Sequence, residues 1–411
     1  MNKQIALSSV KSLLRALKVK VSLTVCTHCA SRKASGSLLM ASLLSACLLS
    51  CNGSQKNQSS QSDFDPSNFT TLNIENDEAF FDSALNDMPA TEYIVLQESD
   101  SIMFKEIDKL VVKNNKYFVL DAWGSRTVVS FDQEGKPIAK YGRIGQGPGE
   151  YFRPMDLWVK DSIVYILDAN QKKVMRFQED GRFISETNSI PFFAEAFAVL
   201  PDNGFIFGIS LDGESGPRLC VADSALNNLK YLLDAPEGFV GGMVTSNMFQ
   251  ETKQGITYYK APLDTMYYLD NKGDITGGLV FDFGDKALPD NAKLDYMTAW
   301  ENKELQGKYY LNNSPFIFSD EIFFSIDMDG RGTNAIYDKK NNKFGGKAFA
   351  SENVPFLLSS INAVDDNNNL YGFTTLEYVE KFDKDYMPSD SIMRLLEDNP
   401  NLIIKYPFSQ K

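Results

Sequence analysis

Histidine occurs once in the 411 residues, as His28, inside an N-terminal segment with the features of a cleaved leader. A mature chain without histidine has no Ser-His-Asp or Cys-His catalysis, no histidine-ligated zinc and no histidine general base. Cysteine is nearly as scarce. Four of the five fall at Cys26, Cys29, Cys47 and Cys51, which leaves Cys220 as the lone thiol of the remaining chain. One thiol forms no internal disulfide, so the fold has to be held by packing. Cys26-Thr-His-Cys29 has CxxC spacing, but it lacks a second cysteine pair and lies in the leader. The apolar and small-residue run from Leu38 to Ser50 holds thirteen residues, short of the ~20 that cross a bilayer. Acidic residues are missing from positions 1–51, which carry seven Lys and Arg; without them 34 basic residues face 54 acidic ones, a net charge of −20. A surface that negative repels phosphate backbones and excludes nucleic acid as a partner.

Arg32 and Lys33 ahead of the Leu38–Ser50 run read as an export signal, residues 1–51. Leu48-Leu-Ser-Cys51 resembles a lipobox, with Cys51 the lipidated residue and Cys47, after Leu44-Ser-Ala, the alternative. This predicts a cell-envelope lipoprotein, of the outer membrane and either periplasmic or surface-exposed, held to the bilayer through its lipid alone. Residues 52–70 are rich in Ser, Gln and Asn and read as a flexible tether; 71–411 form the folded domain.

What the chain has in abundance is apolar and aromatic side chains, 43% and 12%, enough for a large core. They are arranged in a repeat. Tyr117-Phe-Val-Leu-Asp121, Val128-Val-Ser-Phe131 and Gly135-Lys-Pro-Ile138 return 47 positions later as Val164-Tyr-Ile-Leu-Asp168, Val174-Met-Arg-Phe177 and Gly181-Arg-Phe-Ile184. Short β-prone segments repeating at that length predict a β-propeller, one repeat per blade. A third blade is read in 196–222, a fourth in 256–283 with Leu269 four residues before Gly273, a fifth in 321–337, and a sixth starting at Asn369. Helical insertions are expected at 75–86, 288–306 and 389–398. Closing the ring requires strand 91–97 or 102–107 to pair with the C-terminal strand Asn401–Tyr406. The predicted class is all-β, a six-bladed β-propeller closed by its N- and C-terminal strands, with short helical insertions.

Tyr141-Gly-Arg-Ile-Gly-Gln-Gly-Pro-Gly-Glu150, the Asp…Phe…Gly blades, Asp282-Phe-Gly-Asp-Lys-Ala-Leu-Pro289 and Asn399-Pro-Asn-Leu-Ile-Ile-Lys405 resemble the six-bladed β-propeller lipoproteins of Bacteroides-type bacteria, distant relatives of NHL-repeat propellers. The resemblance runs from about residue 70 to the C-terminus and implies fold, blade number and envelope location, with little chemistry. Amidating lyases and pectate-derived oligosaccharide lyases resemble this fold too, but their dependence on histidine or histidine-bound metal disfavours them here.

The glycine-rich segment lacks the Gly-Lys-Ser/Thr ending of a phosphate loop. It reads as a tight inter-blade crossing fixed by Arg143 and Glu150, or as a channel mouth where Arg143, Gln146 and Glu150 touch ligand. Trp123, Tyr151, Phe152, Trp158 and Trp300 are the aromatic candidates for a ligand face, with core packing as their other reading. Asp121 and Asp168 either hold turn amides or form an acidic ring. Asp327-Met-Asp-Gly-Arg-Gly332 and Asp365-Asp-Asn-Asn-Asn369 read as hairpin turns before calcium loops. No metal site and no cofactor is assigned, calcium being the one cation the acids would suit. The leading expectation is a binding module for a glycan, peptide or partner protein. The alternative is a carboxylate- or calcium-dependent polysaccharide hydrolase or lyase, marked by two carboxylates ~5–10 Å apart in the funnel or an ion held by six or more oxygens.

Overall fold

The computed structural model describes residues 65–74, 92–211, 215–235, 238–240, 247–318, 320–328, 331–348, 361–380, 389–399 and 401–407. The leader, most of the tether and the 75–86 helix lie outside the described residues. Six antiparallel sheets form the blades of a propeller. Blade 1 is Lys109–Lys113, Lys116–Asp121, Thr127–Phe131 and Pro137–Lys140. Blade 2 is Asp156–Lys160, Ile163–Asp168, Lys173–Gln178 and Phe183–Glu186. Blade 3 is Ala194–Val199, Phe205–Ile209, Gly216–Ala222 and Leu229–Ala235, and blade 4 is Phe249–Thr252, Gly255–Tyr258, Thr265–Leu269 and Ile275–Asp282. In blade 5 two short strands, Tyr309–Leu311 and Phe316–Phe318, share the innermost place beside Glu321–Met328, followed by Arg331–Asp338 and Lys343–Ala348. Blade 6 starts at Ile361–Val364, eight residues earlier than Asn369, and continues with Leu370–Thr375 and Asn401–Tyr406. Its inner strand is only four residues long, too short for alternation to reveal it.

Glu92–Val95 supplies the outer strand of blade 6 by antiparallel pairing with Asn401–Tyr406, and Glu92 reaches Lys405 at 3.0 Å. Residues 102–107 contribute only an isolated bridge between Ser99 and Ile102. A further strand, Phe69–Asn73, adds in parallel to the outer edge of blade 4, with Phe69 opposite Gly278. A Cβ on Gly278 would stand 2.6 Å from the Phe69 ring, so the Gly277-Gly278 pair makes room for this strand and covers an edge.

The Phe…Gly phase of the repeat has a physical cause. In blades 1, 2 and 4 the register between the third and fourth strands shifts at Phe131, Phe177 and Leu269, a bulge that tucks these side chains into the core. Four residues on, Gly135, Gly181 and Gly273 turn the chain at φ of 76, 88 and 77°. A side chain there would strike the preceding blade, at Val95 O, Lys140 O or the Val221 side chain. Apolar clusters fill every junction between neighbouring blades. The 288–306 insertion is two helices, Asp290–Leu294 and Tyr296–Glu301, broken where Asp295 caps the second through Thr298 N. Asp390–Asp398 is the helix expected near 389–398, and a one-turn helix, Leu376–Val379, follows blade 6's second strand.

Candidate ligand sites of the ring

The innermost strands of the six blades neighbour one another around a central channel. Their side chains tie the ring together polar group by polar group. Lys109 of blade 1 reaches Asp156 of blade 2 at 2.6 Å, both buried. These two residues occupy the same place in the 47-residue repeat, a cation in one copy and an anion in the next. The other Asp156 oxygen accepts from Phe197 N of blade 3 at 2.9 Å, so three consecutive blades share the carboxylate. Gln250 of blade 4 exchanges two hydrogen bonds with the Ile317 backbone of blade 5, each 2.9 Å. Asn313 of blade 5 donates to Ile361 O at 3.3 Å, and Asn247 Nδ2 donates to Asn362 O at 3.0 Å, joining blades 4 and 6.

The channel forms a cavity of about 360 Å³, within the size range of small-ligand sites. At one end Lys113 of blade 1 bonds Glu251 of blade 4 at 3.1 Å and Asp366 of blade 6 at 2.8 Å. These contacts raise the Lys113 pKa despite the opposing effect of burial. Glu251 and Asp366 are the closely set carboxylate pair that would mark a hydrolase, but one ammonium sits between them. The single positive charge is shared between the two carboxylates, so one negative charge is left over at this end of the channel. In the channel wall, Trp158 Nε1 and Asn362 Oδ1 are buried without a protein partner. One donor and one acceptor thus lie beneath the channel lining with their hydrogen-bonding capacity unspent.

The opposite face is built from the turns that follow each second strand and the crossings between blades. Asp121 accepts from Lys105 N, Glu106 N, Gly124 N and Ser125 N at 2.7–3.3 Å. Asp168 accepts from Phe152 N, Asn170 N and Gln171 N at 2.6–3.0 Å. Both repeat aspartates thus hold turn amides. At the Lys113 end, in the turn after blade 6's first strand, Asp365 likewise accepts from Asn367 N and Asn369 N at 2.9 and 2.8 Å. Asp108 accepts from Ala122 N and Trp123 N, and burial pushes its carboxyl up to about 6. Glu106, Asp108 and Asp121 bring one oxygen each within 4.8 Å of one another. They are the carboxylates that would gather a calcium ion, although Asp121 and Asp108 already accept from backbone amides.

The glycine-rich crossing leans on the outer half of blade 2. Gln171 donates to Gly145 O at 2.8 Å, and Gly149 packs where a side chain would strike the Phe183 ring. Arg143 bonds Glu150 at 2.7 Å, whose other oxygen accepts from Gly147 N at 2.9 Å. Arg143 and Gln146 point along this loop's surface, Arg143 largely exposed, and none of the three borders the channel cavity. Tyr151 is fully buried between blades 1 and 2. Trp123 stays open, 41% exposed with the Arg153 guanidinium over its ring. The Lys109–Asp156 pair was legible as opposite charges at one repeat position inside apolar strands. Lys113 and Glu251 left no sequence signal, because 138 positions separate them.

No curated protein sequence matches the chain significantly. Among solved structures, a suspected exported protein of Bacteroides fragilis is 16% identical, covers 83% of this chain and 99% of its own, and superposes with a TM-score of 0.65. A DUF4221-family member from Bacteroides vulgatus is 11% identical over 78% of this chain and 96% of its own, with a TM-score of 0.49. A virginiamycin B lyase from Staphylococcus aureus is 12% identical over 78% and 89%, with a TM-score of 0.40. At such identities the first likeness shows the propeller fold alone. The family model described as a domain of unknown function (DUF4934) matches residues 88–405, from the strand that closes the ring to the strand it pairs with, and the chain belongs to that family.

Proposed function

We propose that this protein is a non-catalytic binding module of the cell envelope, anchored by lipid at Cys51 or Cys47, whose channel takes a neutral polar ligand such as a glycan. The carrying observation is that the channel's inner-strand charges are engaged with one another in ion pairs. Lys109 and Asp156 pair with each other, Lys113 pairs with Glu251 and Asp366, and the indole of Trp158 and amide of Asn362 keep unspent hydrogen-bonding capacity. Paired charges offer no poised acid and base, whereas indole and amide groups suit hydroxyl recognition. Similarity to a suspected exported protein and the leader-like N-terminus support the envelope location. Peptides and partner proteins are the other ligands this fold accommodates around its funnel.

The test is a thermal-shift and calorimetric screen of oligosaccharides and peptides, with and without calcium, followed by mass analysis of every ligand that binds. A ligand that raises the melting temperature, loses affinity in Trp158→Phe and Asn362→Ala, and is recovered intact supports the reading. Shortened or eliminated products would establish the hydrolase or lyase instead.

A further inference from the structure

Blade 2 departs from blade 1 most sharply at its threshold. The backbone amides of Lys105 and Phe152 make the same bond, to Asp121 at 2.7 Å and to Asp168 at 2.6 Å. Phe152 and Arg153 therefore stand where blade 1 has Lys105 and Glu106. The exchange assembles four side chains from two loops. The Arg153 guanidinium lies 4.5 Å from the centroid of Trp123, and that of Arg126 lies 5.6 Å from Phe152. Trp123 and Phe152 remain 41% and 46% exposed. Arg153 Nε is buried without a partner, and among the described residues neither guanidinium makes an ion pair with a carboxylate. The neighbouring Asp168 gives its oxygens to three backbone amides. Burial and the adjacent Arg126 charge hold Arg153 below the ordinary arginine value.

The two guanidiniums repel each other, and the nearby Asp168 offsets the Arg153 charge without bonding it. This chain has 54 acidic residues from which one could have been placed there. Arg126 also adopts φ of 53°, a left-handed conformation that glycine or asparagine takes with less strain; the turn alone does not call for arginine. We propose that Trp123, Arg126, Phe152 and Arg153 form a second ligand site that takes a sugar ring bearing a carboxylate. A planar guanidinium binds carboxylate through paired hydrogen bonds, and exposed aromatic faces stack on the C–H face of a sugar. The negative charge of the rest of the molecule favours a short or terminal acidic sugar over a long polyanion. The site is distinct from the channel's closed end: the turn carrying Trp123 lies at the Lys109 end of blade 1's inner strand, and Lys113 lies at the other.

The experiment titrates the full chain with glucuronate and galacturonate, with glucose and galactose, and with acetate and phosphate, following tryptophan emission and melting temperature. A uronate is expected to bind roughly tenfold or more tightly than the neutral sugars and the simple anions. Arg153→Gln and Arg126→Gln, both partly buried and without an ion pair to lose among the described residues, should each weaken uronate binding roughly tenfold with the melting temperature of the free protein largely retained. Trp123→Ala should remove the emission change. Absence of uronate binding, equal binding of acetate or phosphate, or unchanged affinity in both arginine variants overturns the proposal. A ligand held in the channel survives both arginine substitutions, so failure here is separable from failure of the channel reading.

Discussion

Lys113 and Glu251 belong to opposite blades of the six-bladed ring and meet across the channel, Nζ to Oε2 at 3.1 Å. Asp366 of blade 6 completes the bridge at 2.8 Å. The contact joins parts of the ring that share no hydrogen-bonded strand, and it spans the channel at the end where the inner strands finish.

Because these side chains are partly solvated, Lys113→Met is expected to cost only about 1 kcal/mol, and less at high salt. Urea denaturation at low and high ionic strength measures it. Equal stability of both proteins at low salt would show that the bridge contributes nothing.

The buried Lys109–Asp156 pair should behave differently. Asp156→Ala strands a buried ammonium and leaves Phe197 N without its acceptor, with an expected loss of about 3–5 kcal/mol. The double variant Lys109→Met, Asp156→Leu removes both charges and should cost clearly less than the two single changes together. A double-mutant cycle by chemical denaturation checks this; simple additivity would refute the coupling.

Asp108 predicts a pH signature. Burial raises its folded pKa from 3.8 to about 6, so folding favours the protonated form. The resulting cost is absent below about pH 4, grows as pH rises and is complete above about pH 6. Asp108→Asn keeps an acceptor for the Ala122 and Trp123 amides and should be more stable than the parent by on the order of 1–2 kcal/mol at pH 8, with the two proteins matching at pH 4. Denaturation midpoints across that range decide it, and a constant difference would rule out titration of Asp108 as the cause.

Gly278→Val places side-chain atoms against Met266 O in blade 4's third strand and against the Phe69 ring, which a Cβ alone would approach to 2.6 Å. The expected cost is about 1–3 kcal/mol, with faster amide exchange across Phe69–Asn73 and little change in blades 1 and 2. Hydrogen exchange read by mass spectrometry distinguishes this local loss from general unfolding.

Much of the architecture was legible in the chain because its causes are local. The Phe…Gly spacing encodes a bulge followed by a left-handed turn, the aspartates encode turn amides, and short continuous apolar runs encode strands buried on both faces. Ring closure also followed, since an unpaired C-terminal edge demands a partner strand and Glu92–Val95 supplies it. The parallel strand Phe69–Asn73 was not legible: its partner lies some 200 residues away, and its only local trace is a glycine pair.

The candidate sites divide in the same way. By itself the sequence determined the repeat, the turns and Trp123 as a point where the copies differ. Only the tertiary structure decided that Tyr151 is core, that Arg143 and Glu150 brace a loop, that Arg153 covers Trp123 and that Lys113 finds Glu251. The reason is geometric. Turn and strand preferences act between residues a few bonds apart, whereas a closed ring brings together side chains whose separation along the chain carries no trace of their separation in space.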